Sequence, residues 1–201
     1  MSDDAALSHA SYWDERYARA DDSTSDPTHE WFRSFSDLVP FFERHLFTVP
    51  GLTPEDNPLI LHLGSGDSVC ASTPSSTWLF FSLPLAWFHL LSTFYSSLLT
   101  STPTHSPISQ TIPVDLAARG YKRQLCVDFS SAVVDLMRAR HAAVEGVEWR
   151  LLDVRDMQGL ADRTVDAAFD KGTLDAMIHG SPWSPPQDVR DNTSAYLREV
   201  R

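Results

Sequence analysis

From Val69 to Gln110 the chain runs for 42 residues without an Asp, Glu, Lys, Arg or Gly. All 16 Lys and Arg and all 27 Asp and Glu lie outside this stretch. The break falls just after "LHLGSGD" (61–67), which reads as a buried strand ending in a glycine-rich turn. Any fold for the chain must either absorb the run or exclude it. Three readings compete. Leu79 to Leu99 is 21 residues without a charge, long enough to span a membrane. Against a span stand Pro84, His89 and five Ser or Thr residues within it, and no basic cluster flanks it to set an orientation. A hydrophobic lid would expose a large apolar patch unless it found a partner. The favoured reading is a translated intron. Val69–Cys70 can be spelled as a splice donor and Gln110 as an acceptor. The Ser, Leu, Phe and Pro between them come largely from pyrimidine-rich codons, and a whole number of codons keeps the frame.

An independent spacing supports excision. In a nucleotide-binding βαβ unit the acid that ends the second strand lies roughly 20 residues beyond the glycine turn. Gly66 and Asp128 are 62 positions apart, and removal of the 42-residue run leaves 20. It also joins the strand and turn directly to "TIPVDLAARGY" (111–121), which reads as a helix with Pro113 in its first turn and Gly120 at its end. Further along, "RQLCVDFS" (123–130), "VEWRLLDV" (147–154) and "VDAAFDKGT" (165–173) read as strands. "SSAVVDLMRARHAAV" (130–144) reads as a helix capped by Ser130 or Ser131, "SPWSPPQD" (181–188) as a rigid loop, and "NTSAYLREVR" (192–201) as the start of a helix. Residues 9–19 and 30–46 read as helices with aromatic faces. Strands alternating with helices predict an α/β, Rossmann-like parallel sheet with helices on both faces. The expected organisation is one domain over 1–201: a helical cap over 1–50, a core from 59–68 and 111–201, and the anomalous run at 69–110.

Composition narrows the partners. A net charge of −11 argues against a non-specific grip on nucleic acid. Two cysteines, Cys70 and Cys126, make no disulfide framework, and a reducing cytoplasm is the expected setting. The N-terminus lacks the basic and then apolar order of a secretory signal, and the eight scattered His predict no metal site. The turn G-S-G-D-S lacks the third glycine of a dinucleotide fingerprint, so a nucleoside site is expected rather than a pyrophosphate site. Gly64 and Gly66 let backbone approach the ligand, and the next helix offers free N–H groups. Asp128 would accept from both ribose hydroxyls; Asp153 would take the adenine amino group, with the Val154 amide beside it.

"YWDERY" (12–17), "EWF" (30–32), "LHLGSGDS" (61–68), "VDFSSAVVDLMRARH" (127–141), "LLDVRDM" (151–157) and "FDKGTLDAM" (169–177) occur in an order that resembles the seven-strand (class I) S-adenosylmethionine-dependent methyltransferases. More narrowly the chain is similar to the group of methyltransferase-like protein 13 and elongation factor 1-alpha lysine methyltransferase 4, with "DKGTLDA" (170–176) the most specific piece. The resemblance implies S-adenosyl-L-methionine as cofactor. It implies that Trp13, Tyr17 and Trp31 close over the cofactor, and that Gly64 and Gly66 form its loop. It places the ribose and adenine at Asp128 and Phe129, the adenine edge at Asp153 and Val154, and the methionine side at Lys171. Asp170 would lie where the substrate amine meets the methyl group. A sulfonium cation is attracted to aromatic faces, which suits the three N-terminal rings. The implied reaction is methyl transfer to a protein lysine, with an elongation factor 1-alpha-like substrate, small molecules remaining open, and no catalytic base assigned. The chain departs from the group twice. The run interrupts the cofactor loop, and the group continues after "YLREV" into further strands, so a C-terminally truncated domain is expected. An inactive, mis-spliced fragment, membrane-associated through 79–99, is the alternative.

Transcripts sequenced across the codons of Ser68 and Thr111 are expected to include a form lacking those of residues 69–110. Finding only the longer form overturns the intron reading.

Overall fold

In a computed structural model, which describes residues 3–18, 35–67 and 111–201, the four segments read as strands pair into one parallel sheet. The 69–110 run and Trp31 lie outside the described residues. The strands are β1 (Ile60–Leu63), β2 (Gln124–Asp128), β3 (Val147–Leu151) and β4 (Ala167–Asp170). Their order is β3-β2-β1-β4. Ile60 stands opposite Gln124 and Ala167, and Gln124 opposite Val147. Every residue of β1 and β2 is buried, as expected of central strands covered on both faces. The chain moves from β1 outward to β2 and β3, then returns to the other side of β1 for β4. Ligands of open α/β sheets bind at such a reversal, outside the carboxyl ends of the strands.

The helices are α1 (Asp3–Ala6), α2 (Ala10–Ala18), α3 (Phe35–Phe42), α4 (Ile112–Ala118), α5 (Ser131–Arg140), α6 (Thr173–Ala176) and α7 (Gln187–Glu199). α3 carries Pro40 in its interior and widens into a π-helical turn over Glu43–Phe47. α4 has Pro113 in its first turn and is followed by Gly120 at φ +100°. Ser130, rather than Ser131, caps α5, its hydroxyl accepting from the Val133 amide at 3.4 Å. α7 begins five residues before the expected Asn192. Pro186 stands at its N-cap, and Val189 and Tyr196, seven apart, are its buried stripe. The polar stretch from 187 to 191 hides this start because it holds a single apolar residue.

Side-chain alternation divides the core. On one face Ile60 packs with Phe42, Leu46, Leu116 and Tyr121, while Cys126 and Trp149 meet Val133, Val134 and Met137 of α5 and Trp13 and Tyr17 of α2. On the other, Leu61, Leu63, Leu125 and Val127 meet Met177 and Tyr196. The fold is therefore α/β and Rossmann-like, with helices on both faces of the sheet. Among the described residues no helix is long and apolar enough to cross a membrane.

One polar node sits inside the first face. Gln124 pairs with His62 Nε2 at 2.8 Å and donates through its side-chain nitrogen to the Pro113 carbonyl at 2.9 Å and the Tyr121 carbonyl at 3.0 Å. It ties β1, β2 and both ends of α4 together. Burial pushes the His62 imidazole down to about 4, so it is neutral at pH 7. Replacement of Gln124 by Leu would strand three buried polar groups, and Gln124→Leu is expected to cost about 2–4 kcal/mol in urea denaturation. An unchanged midpoint would show that the node contributes nothing.

Candidate functional site

The chain leaves β1 through Gly64, Ser65 and Gly66. Gly64 and Gly66 both have φ +56°, a left-handed conformation that favours glycine. A Cβ on Gly64 would be driven into the Thr173 side chain. Thr173 lies close because its hydroxyl donates to the Leu63 carbonyl at 2.8 Å, which pins the start of α6 onto the loop. The Ser65 amide donates to the Val127 carbonyl at 3.1 Å, and the Gly66 amide to Asp128 Oδ2 at 3.0 Å. The other Asp128 oxygen, Oδ1, accepts from the Ser130 amide at 3.0 Å. The β1 loop and the end of β2 thus meet on one carboxylate. Burial pushes this carboxyl up to about 6 against the lowering effect of the amides around it.

Helix α2 closes the side of this arrangement. Trp13 stacks on Tyr17 with ring centroids 5.7 Å apart and an interplanar angle of 27°. The Trp13 indole donates to the Leu7 carbonyl at 2.8 Å. The Tyr17 phenol is raised well above its ordinary range, by burial first and then by the nearby charges of Asp128 and Asp67.

The resulting cavity is lined by Trp13, Tyr17, Gly64, Gly66, Asp128, Phe129 and Lys171, seven residues singled out in the sequence. Asp153 and Val154 do not line it. Asp153 is engaged by Arg155, whose Nη2 lies 2.6 Å from Oδ2 and whose Nε and backbone amide reach Oδ1 at 2.9 Å. Burial alone would raise the Asp153 carboxyl, but the hydrogen bonds and charge of Arg155 hold it below its ordinary range. Val154 is packed in the apolar core against Leu63 and Met177. Asp170 does not reach a ligand space either. Its Oδ1 accepts from the Gly172 and Thr173 amides at 2.9 Å, and its Oδ2 from the Leu174 amide at 3.1 Å and the Tyr196 hydroxyl at 2.7 Å. It serves as the anchor of α6.

Ser65 and Thr111 are among the lining residues that the sequence reading did not single out. The Ser65 and Thr111 hydroxyls are buried and have no hydrogen-bond partner among the described residues. Thr111 precedes α4 in the position of an N-cap, yet its side chain makes no cap bond. Its place immediately after the uncharged run was the one available signal. The cavity therefore combines an ionisable acceptor, two orphaned hydroxyls, close-approaching backbone and stacked aromatic rings. Among the described residues no group of three His, Cys, Asp or Glu could hold a metal ion.

The chain is similar to a protein named EEF1A lysine methyltransferase 4 from Bos taurus, 29% identical over 191 residues, and to one of the same name from Mus musculus, 28% identical over 191 residues. These matches cover 94% of this chain and 54% of each relative, so the chain spans about half the length of the curated relatives it matches. They bear out the resemblance drawn from its motifs. No protein-family model matches the chain.

The close packing of Gly64 on Thr173 makes the loop intolerant of a side chain. Gly64→Ala is expected to lower stability by about 1–3 kcal/mol in chemical denaturation. A variant as stable as the parent would show that the loop and α6 can part without cost.

Proposed function

We propose that the chain is an S-adenosylmethionine-dependent methyltransferase acting on a protein lysine, with elongation factor 1-alpha, the protein in its relatives' names, as the substrate. The observation that carries the reading is the Asp128 carboxylate, held by the Gly66 amide at the reversal of strand order. The residues fit an adenosyl ligand. Asp128 lines the cavity and presents a carboxylate acceptor for the two ribose hydroxyls beside the Gly66, Ser130 and Phe129 amides that hold it. Phe129 offers a ring beside it. Gly64 and Gly66 turn the backbone along the cavity, and the Ser65 and Thr111 hydroxyls have no hydrogen-bond partner among the described residues. Trp13 and Tyr17 suit a cationic sulfur, and Lys171 lines the β4 side.

When bound, S-adenosylmethionine supplies a methyl group that an amine lone pair takes up as the C–S bond breaks, leaving S-adenosylhomocysteine and a proton released to solvent. The protein's part is to align the two and to exclude water, which requires no dedicated base. The reading assigns no role to Asp153 or Val154. Trp31 lies outside the described residues. A basic translation factor suits an acidic enzyme, and a cytoplasmic setting accords with the sparse cysteines. Residues 69–110 are proposed to be absent from the active form.

Calorimetry with S-adenosylhomocysteine on the full chain and on a 69–110 deletion tests this reading, together with transfer of labelled methyl groups to elongation factor 1-alpha. Binding by the deletion form is expected. Binding by neither overturns the cofactor assignment, whereas equal binding by both overturns the claim that the run is disruptive. The pH dependence follows from Asp128. Its carboxyl must be ionised to accept from both hydroxyls, and it protonates at about 6. Affinity is therefore complete above that pH and falls below it, by about tenfold between pH 7 and pH 5. Asp128→Asn is expected to bind weakly and without this dependence.

A further inference from the structure

Asp14 lies in "YWDERY", on the same side of α2 as Trp13 and Tyr17, and nothing described so far uses it. Its Oδ1 accepts a 2.6 Å hydrogen bond from the Ser130 hydroxyl and lies 3.5 Å from the Ala132 amide. Both donors belong to the N-terminal end of the ten-residue helix α5, where amide groups and the helix dipole favour a carboxylate. Ser130 also donates its backbone amide to Asp128 Oδ1. One residue thus holds two carboxylates, Asp128 of the site by its amide and Asp14 of the cap by its hydroxyl. Asp14 and Tyr17 are three residues apart and Trp13 and Tyr17 four, so one helical face presents the carboxylate to α5 and the rings to the cavity.

We propose that Asp14 is a positioning residue for the adenosyl site, setting the register of α2 through Ser130 so that Trp13 and Tyr17 form a wall of the cavity. The inference rests on the methyltransferase reading for its ligand and on the Asp14–Ser130 contact for its geometry. Ser130 already caps α5 by accepting from the Val133 amide, so the Asp14 contact adds to that cap and also ties α2 to it. The surrounding apolar packing of Trp13 and Tyr17 on Val133, Val134 and Met137 supplies adhesion without a fixed register. The short Asp14–Ser130 bond at the end of the interface adds a directional tie to α5, beside the one Tyr17 makes with the Asp67 amide.

Two readouts on the full chain and on the 69–110 deletion test it. In hydrogen exchange without ligand, Asp14→Ala is expected to exchange at least tenfold faster than the parent over residues 13–18, with residues 124–128 unchanged. Asp14→Asn, whose side-chain carbonyl still accepts from Ser130, is expected to behave like the parent. Unchanged exchange in Asp14→Ala, or equal loss in Asp14→Asn, overturns the latch. In calorimetry, Asp14→Ala and Ser130→Ala are each expected to weaken S-adenosylhomocysteine about tenfold, and the double variant no further. Additive losses, or none, overturn the coupling. A parent form that binds no cofactor while showing the exchange pattern would sink the functional reading and leave the latch standing.

Discussion

The hydrogen bond from the Gly66 amide to the Asp128 carboxylate is the constraint around which the site is built. It joins the loop after β1 to the last residue of β2, and it can form only if both strands end at the same level. The parallel register provides this, pairing Leu63 with Val127 so that Gly64 and Asp128 emerge side by side. The amide can point at the carboxylate only because the loop turns through two left-handed glycines. The cost of burying the carboxylate is visible in its raised pKa and is offset by the Gly66 and Ser130 amides. Fold and site are thus one arrangement: shifting β2 by a residue would turn Asp128 to the other face of the sheet.

Much of this was legible in the residues. β1 and β2, buried throughout, are legible from their short apolar runs, broken by His62 in β1 and flanked by Gln124 and Asp128 in β2. Ser130 and Pro113 mark helix starts by mechanisms that act within one turn. Asp128 was legible from spacing, because the distance from glycine to acid is set by one helix and one strand. What was not legible depends on side chains distant in sequence. Asp153 follows β3 by two residues, and Arg155 folds back onto it and is itself held by Asn192 at 3.0 Å and the Ser8 carbonyl at 3.2 Å. No local pattern announces a guanidinium shared by residues 37 and 147 positions away. The Gln124 node is similar: a glutamine in a central strand reads as a blemish until His62, Pro113 and Tyr121 are brought around it.

The uncharged run has a simple relation to the described residues. Asp67 on one side of it and Thr111 on the other line the same cavity. The sheet register, the Gly66–Asp128 bond and the packing of α4 on Ile60 are all made by residues outside the run. Both ends of the run therefore meet at the cavity, so its deletion bears on the site directly.

Asp153 follows β3 by two residues, Asp170 ends β4 and Asp128 ends β2, and their surroundings divide their roles. Asp153 accepts from the backbone and guanidinium of Arg155, with both oxygens engaged. Asp170 receives two donors on each oxygen and anchors α6 and α7. A carboxylate offers about four acceptor positions, so Asp170 is saturated. Asp128 accepts from backbone amides, those of Gly66, Ser130 and Phe129, and lines the same cavity as the stacked rings of Trp13 and Tyr17. Asn192 and Tyr196, one turn apart on α7, hold the first two acids in place through Arg155 and directly. By occupying Asp153 and Asp170, α7 leaves Asp128 as the strand-end acid with capacity to recognise a ligand.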